Sequence, residues 1–140
     1  MREIIFRGKR VDNGEWVYGA YSAYDSRHNY YNGQVECEVA FMPSIIAYDD
    51  ECFWYHVDPA TVGQFTGKTV KNGKVFDGDV LKNIDGFSLV SWDEEKSAFV
   101  MRLYEYPYET LYLEEMWDDS EIIGNIHDNP ELLEGGVNDG

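Results

Sequence analysis

The stretch from Val57 to Lys82, VDPATVGQFTGKTVKNGKVFDGDVLK, constrains this chain more than any other. Short apolar-polar runs (Thr61 to Phe65, Val75-Phe76, Val80-Leu81) are cut by Thr66-Gly67, Asn72-Gly73 and Asp77-Gly78. Asn-Gly between two such runs is the strongest short-range hairpin signal, because both central residues of a type I′ turn need φ > 0. The segment reads as the wall of a small β-barrel, with Gly67, Gly73 and Gly78 as turn residues.

The same pattern extends in both directions. Glu3 to Arg7 predicts a first strand, the Asp12-Asn13-Gly14-Glu15 segment a hairpin turn, and Trp16 to Ala20 a second strand. Gly19 inside that run implies a bulge or a close backbone approach. Residues 22–35, polar and rich in Tyr, read as a loop or lid. Glu36 to Met42 alternates as a strand, and Pro43 is expected to end it, since proline cannot donate to a ladder. Asp58-Pro59 breaks a short aromatic run from Phe53 to Val57.

Downstream, Asp79 to Ile84 and Phe87 to Trp92 flank Asp85-Gly86, and Ala98 to Leu103 follows a turn at 93–97. Four strands over residues 74–106 predict a meander curling into an SH3-like or related barrel. Glu121 to Ile126 reads as a last strand, Gly124 as a turn or close-approach residue, and Pro130 as the start of a short C-terminal helical turn. The expectation is therefore a mainly β chain. It comprises one domain over 1–140, an antiparallel barrel with an additional N-terminal β-region, and a disordered tail at 135–140. With 4 Trp, 11 Tyr and 7 Phe, the composition favours half-buried, pleated positions.

Charge narrows the function classes. Eleven Lys and Arg stand against 27 Asp and Glu, a net of −16. Residues 1–20 carry four bases and three acids, and residues 101–140 one base, Arg102, and eleven acids. Such a surface repels phosphate backbones and anionic lipid, so neither nucleic acid nor a membrane is an expected partner. Solubility is the plain account of the acidity; a DNA-mimicking surface that inhibits a host protein is the alternative. Cys37 and Cys52 stand apart with no zinc spacing and read as buried thiols. The N-terminal apolar run is too short for a secretion signal, and no run suits a membrane span, which points to a cytoplasmic protein.

Four segments, in order from end to end, resemble the YopX family of small proteins encoded by phages and prophages. They are the opening REIIFRGKRVDNGEWVYGAY, the central VDP, TVGQFTG, KNGK and Gly78-Asp79-Val80, then Val90-Ser91-Trp92-Asp93, and finally IIGNIHDNPELL at 122–133. Two small departures are Val70 before Lys-Asn-Gly and Asp77 before Gly-Asp, where the family often has Asp and Glu. The resemblance implies a β-rich, barrel-containing fold and a phage or prophage origin. It brings no assigned activity and no catalytic residues.

The residues themselves offer no catalytic signature. His56 with Asp58 and His127 with Asp128 would supply metal ligands, and a small metal-dependent hydrolase, only if chain positions about 70 apart converge on one ion. Gly63-x-x-x-Gly67-Lys68-Thr69 is one residue short of a phosphate-binding loop and precedes a hairpin instead of a helix. No cofactor is expected. Tyrosine-rich segments are the better candidates, Tyr21 to Tyr31 and above all Tyr104, Tyr106, Tyr108 and Tyr112, because Tyr gives rigid amphipathic contact area. They predict a non-enzymatic protein–protein contact module whose partner is an unidentified protein or a second copy of the chain. The basic cluster Arg7, Lys9 and Arg10 is expected to pair internally or across a subunit contact.

Overall fold

A computed structural model describes residues 3–48, 53–83, 86–103, 110–113 and 119–133. It is built of antiparallel strands and has no α-helix among these residues, hence none long and apolar enough to cross a membrane. The chain forms two compact units, Ile4–Gly63 and Gln64–Gly140, the second taking in Met1–Glu3.

The N-terminal unit is a sheet of β1 (Phe6–Lys9), β2 (Trp16–Tyr31), β3 (Gln34–Ala47) and β4 (Trp54–His56), in the order β4-β3-β2-β1. The β1–β2 turn is closed by Arg10 N–H on the Glu15 carbonyl and Gly14 N–H on the Arg10 carbonyl, both at 2.9 Å. Residues 22–35, expected as a loop or lid, instead belong to a long β2–β3 hairpin. Tyr31 faces Gln34 across Asn32 (φ 49°) and Gly33 (φ 78°), so both central residues take the left-handed conformation that a type I′ turn requires. Polar composition did not prevent this, because a hairpin needs a backbone partner and not an apolar face on both sides.

Pro43, expected to end its strand, sits within β3. From Ser22 to Tyr24 β2 advances two residues while β3 advances three, from Ser44 to Phe41. The bulge accommodates the missing N–H, and the Pro43 carbonyl accepts Val57 N–H at 2.9 Å. Asp58-Pro59 does end β4: the Asp58 carboxylate accepts Ala60 N–H at 3.0 Å and caps a 3-10 turn over Pro59–Thr61. Thr61 Oγ1 then accepts Lys9 N–H at 2.9 Å, tying that turn to β1. Ile45, Ala47 and Val57 are buried here.

The C-terminal unit holds the β5 (Gly63–Val70) and β6 (Gly73–Phe76) hairpin. It also holds β7 (Asp79–Asn83), β8 (Gly86–Asp93), β9 (Ala98–Leu103), β10 (Thr110–Tyr112) and β11 (Glu121–Asn125). The last five form one sheet in the order β10-β9-β8-β7-β11. The β7-β8-β9 meander is as the sequence predicts; the barrel is not. Closure needs the outermost strands to pair with a fixed stagger, and this sheet stays open between β10 and β11. Leu81, Val90 and Met101 form its core with Val75 and Leu113, all buried.

Two turn expectations shift by one device each. Thr66-Gly67 is a bulge inside β5: Phe65 faces Phe76 and Thr69 faces Lys74, four residues against two. Thr66 Oγ1 donates to the Val75 carbonyl at 2.8 Å across it. In the β5–β6 hairpin Val70 faces Gly73, so Lys71-Asn72 forms the tip instead of Asn72-Gly73. Asn72 is placed there for another purpose. Its Nδ2 donates to the Ile122 carbonyl at 2.8 Å and its Oδ1 accepts Ile122 N–H at 2.9 Å. One amide thereby imitates a neighbouring strand along the edge of β11 and covers its unpaired groups. Asn72→Ala should lower stability by about 1–2 kcal/mol, the usual effect of deleting paired hydrogen bonds, read as a lower urea midpoint with an unchanged m-value.

The expected C-terminal helical turn is a 3-10 turn over Pro130–Leu133 and no more. The 135–140 tail, Tyr104, Tyr106, Tyr108, Cys52, Asp85 and the Asp49-Asp50-Glu51 segment lie outside the described residues.

Candidate functional site

In the N-terminal unit, strand alternation puts Tyr18 and Tyr24 on one face of β2. Phe41 faces Tyr24, and the two exposed rings meet edge-on with centroids 5.6 Å apart. Ala20, Ile46 and Trp54 form a cross-strand row on the same face. Tyr18, Tyr24, Phe41 and Trp54 are each 47–60 % exposed, and Tyr48 follows beside Tyr18 with its N–H on the Tyr18 carbonyl at 3.3 Å. Exposed aromatic rings on one sheet face form an apolar patch, in a unit that carries nine acids and four bases.

The basic cluster is absorbed internally. The buried Arg7 guanidinium lies 4.7 Å from the Trp16 ring centre and the Lys9 ammonium 5.6 Å from it. Arg10 stacks 4.5 Å over Tyr55 and binds Asp12 through two hydrogen bonds, at 2.6 and 2.9 Å. That hydrogen bond, before any other cause, pulls the Asp12 carboxyl below and pushes the Arg10 guanidinium above its ordinary range.

In the C-terminal unit a cavity of about 420 Å³ opens at the β8–β9 turn. Its rings are Trp92, Phe99 and Tyr112, and β5 contributes Gln64, Thr66 and Lys68. Trp92 and Phe99 face each other across β8 and β9 and meet edge-on at 5.1 Å. Ser97 on its wall is one of two described non-glycine residues at positive φ (50°). Of Tyr104, Tyr106, Tyr108 and Tyr112, the structure describes Tyr112, and it lies in a pocket wall.

The metal candidates have local structural employment. His56 Nδ1 lies 3.1 Å from Ser44 Oγ, and Asp58 caps the turn after β4. Asn125 Oδ1 accepts the N–H groups of His127 and Asp128 at 2.9 Å each, and its Nδ2 donates to the Asp128 carboxylate. Among the described residues no three His, Cys, Asp or Glu side chains gather as a metal would need.

A family model described as YopX protein matches residues 5–134, nearly the whole chain. The chain belongs to the YopX family. No curated protein matches it. In this YopX-family chain the motif residues that carried the resemblance serve the scaffold. Gly78 N–H donates to the Val90 carbonyl and Gly78 O accepts from Ile126 N–H, both at 2.9 Å. The buried Asp79 carboxylate accepts Phe76 N–H at 2.7 Å. Gly124 packs against Asn129 in the final turn, where a Cβ would meet Asn129 Oδ1. Gly86 opens β8 opposite Asn83. The exposed rings, in contrast, lie largely outside those motifs. The Asn32-Gly33 pair was the one signal that would have placed Tyr24 beside Phe41.

Proposed function

We propose that this YopX-family chain is a phage- or prophage-encoded accessory protein of the bacterial cytoplasm. In this reading it acts as a non-enzymatic module that binds a protein partner through the aromatic face of its N-terminal sheet. The observation that carries this reading is the exposure of Tyr18, Tyr24, Phe41 and Trp54 on one side of β2, β3 and β4. Aromatic side chains supply most of the binding energy where a partner covers them. The net charge of −16 favours a partner with a basic rim, which steers encounter and makes association fall with salt.

The test compares the wild-type chain with a Phe41→Ala/Trp54→Ala double variant as immobilised bait in lysate of infected host cells. Both positions are exposed, so circular dichroism should show the same fold. The reading expects a discrete basic protein retained by the wild type, released by salt and lost with the double variant. Equal retention by both baits, or none by either, would overturn it.

A further inference from the structure

We propose that the cavity beside the β8–β9 turn binds a small molecule with a planar aromatic ring carrying one anionic group. The site belongs to the C-terminal unit, and its chemistry differs from that of the aromatic face of the N-terminal unit. Its volume, about 420 Å³, suits one ring with a short substituent and falls in the ordinary range of ligand pockets. The apolar wall is Trp92, Phe99 and Tyr112, with Trp92 nearly half exposed. The edge-on contact of Trp92 with Phe99 leaves ring surface unstacked, and a flat ligand gains offset or edge contacts there.

The polar wall sets the charge of the ligand. Among the described residues no acid lines the cavity, although its unit carries eighteen acids and seven bases. Lys68 is in the wall, and the Lys96 ammonium lies 5.8 Å from the centre of the Tyr112 ring. On the same turn Asp93 is engaged elsewhere, taking Lys96 N–H at 3.1 Å and facing the Arg102 guanidinium at 3.8 Å. The Lys68 ammonium, the Gln64 amide and the Ser97 hydroxyl have no side-chain partner among the described residues. They are a cation, a donor–acceptor and a hydroxyl placed beside three rings. Ser97 takes the left-handed conformation that closes the 93–97 turn, which places its hydroxyl on the cavity wall. The acidic remainder of the chain acts on an incoming anion from farther away, and at physiological salt it is screened beyond about 8 Å.

Nuclear magnetic resonance on the full ¹⁵N-labelled chain tests the site, following the Trp92 indole N–H identified by its loss in Trp92→Phe. The probes are thymidine 5′-monophosphate and indole-3-acetate, each paired with its neutral counterpart, thymidine and indole-3-acetamide. The proposal expects at least one anion to shift the Trp92 signal saturably and to bind about fivefold more tightly than its neutral partner, the scale of one exposed ion pair. Which anion does so separates phosphate from carboxylate. Lys68→Gln should erase the preference for the charged probe while leaving the neutral probe unchanged. Lys96→Gln, read in the same way, covers the case in which the first variant fails to fold. Absence of any Trp92 shift, equal affinity for charged and neutral probes, or a charge preference that survives both lysine variants would overturn the proposal.

Discussion

Gly19→Ala is expected to destabilise the chain by about 3 kcal/mol, the upper range for forcing extra volume into a packed site. A Cβ at Gly19 would collide with the Ile46 carbonyl oxygen and approach the Ala47 Cα to 3.1 Å. Both neighbours are backbone on β3, so no side-chain rotation relieves the contact. The strands must part at the point where Gly19 faces Phe6 on one side and Ala47 on the other. Urea unfolding followed by far-ultraviolet circular dichroism reads the loss directly. The contrast is Gly33→Ala, where a Cβ would meet open space and the penalty comes only from φ 78°, about 1 kcal/mol for an ordinary side chain in the left-handed region. Equal midpoints for Gly19→Ala and the wild type would mean that β2 and β3 do not approach this closely.

Leu81→Ala should have a comparable effect in the C-terminal unit, about 3 kcal/mol within the usual 2–5 for a buried leucine. Leu81 is 1 % exposed and packs in one cluster with Val75, Val90, Met101 and Leu113. Truncation removes the Cγ methine and both methyl groups and leaves a cavity that flanking strands cannot collapse, because β7 is paired on both sides, to β8 and β11. Leu89→Ala, on the opposite face of the same sheet and half-buried, is the control and should shift the urea midpoint much less. Similar shifts for the two variants would remove Leu81 from the core.

The local grammar of the chain was legible because its causes are local. The 93–97 turn, the strand at Ala98–Leu103, the break at Asp58-Pro59 and the close approach at Gly19 each follow from one or two residues and their allowed backbone angles. Errors arose where a partner far along the chain overrides such preferences. Pro43 fails to end β3 because a bulge opposite Ser22 and Tyr24 absorbs it. Asn72 reads as a hairpin residue, yet its amide is occupied with Ile122, fifty positions away. Residues 22–35 look like a loop until Asn32-Gly33 brings their two halves into register.

The candidate sites follow the same division. Tyrosine enrichment marked Tyr112, but nothing in composition shows that Trp92 and Phe99 face each other or that Lys68 of β5 shares their cavity. The family match adds membership and leaves activity open, consistent with motif glycines, Asp79 and Asn125 that all serve hydrogen bonds or close packing.

The sequence by itself determined an antiparallel, turn-punctuated β chain of strongly acidic character, because alternation and φ-restricted residues act over a few positions. Only the tertiary structure decided that the sheets stay open, which turn position each glycine occupies, and which aromatic rings reach solvent. Those outcomes depend on the register between distant strands, and a one-residue change in register moves every side chain to the opposite face.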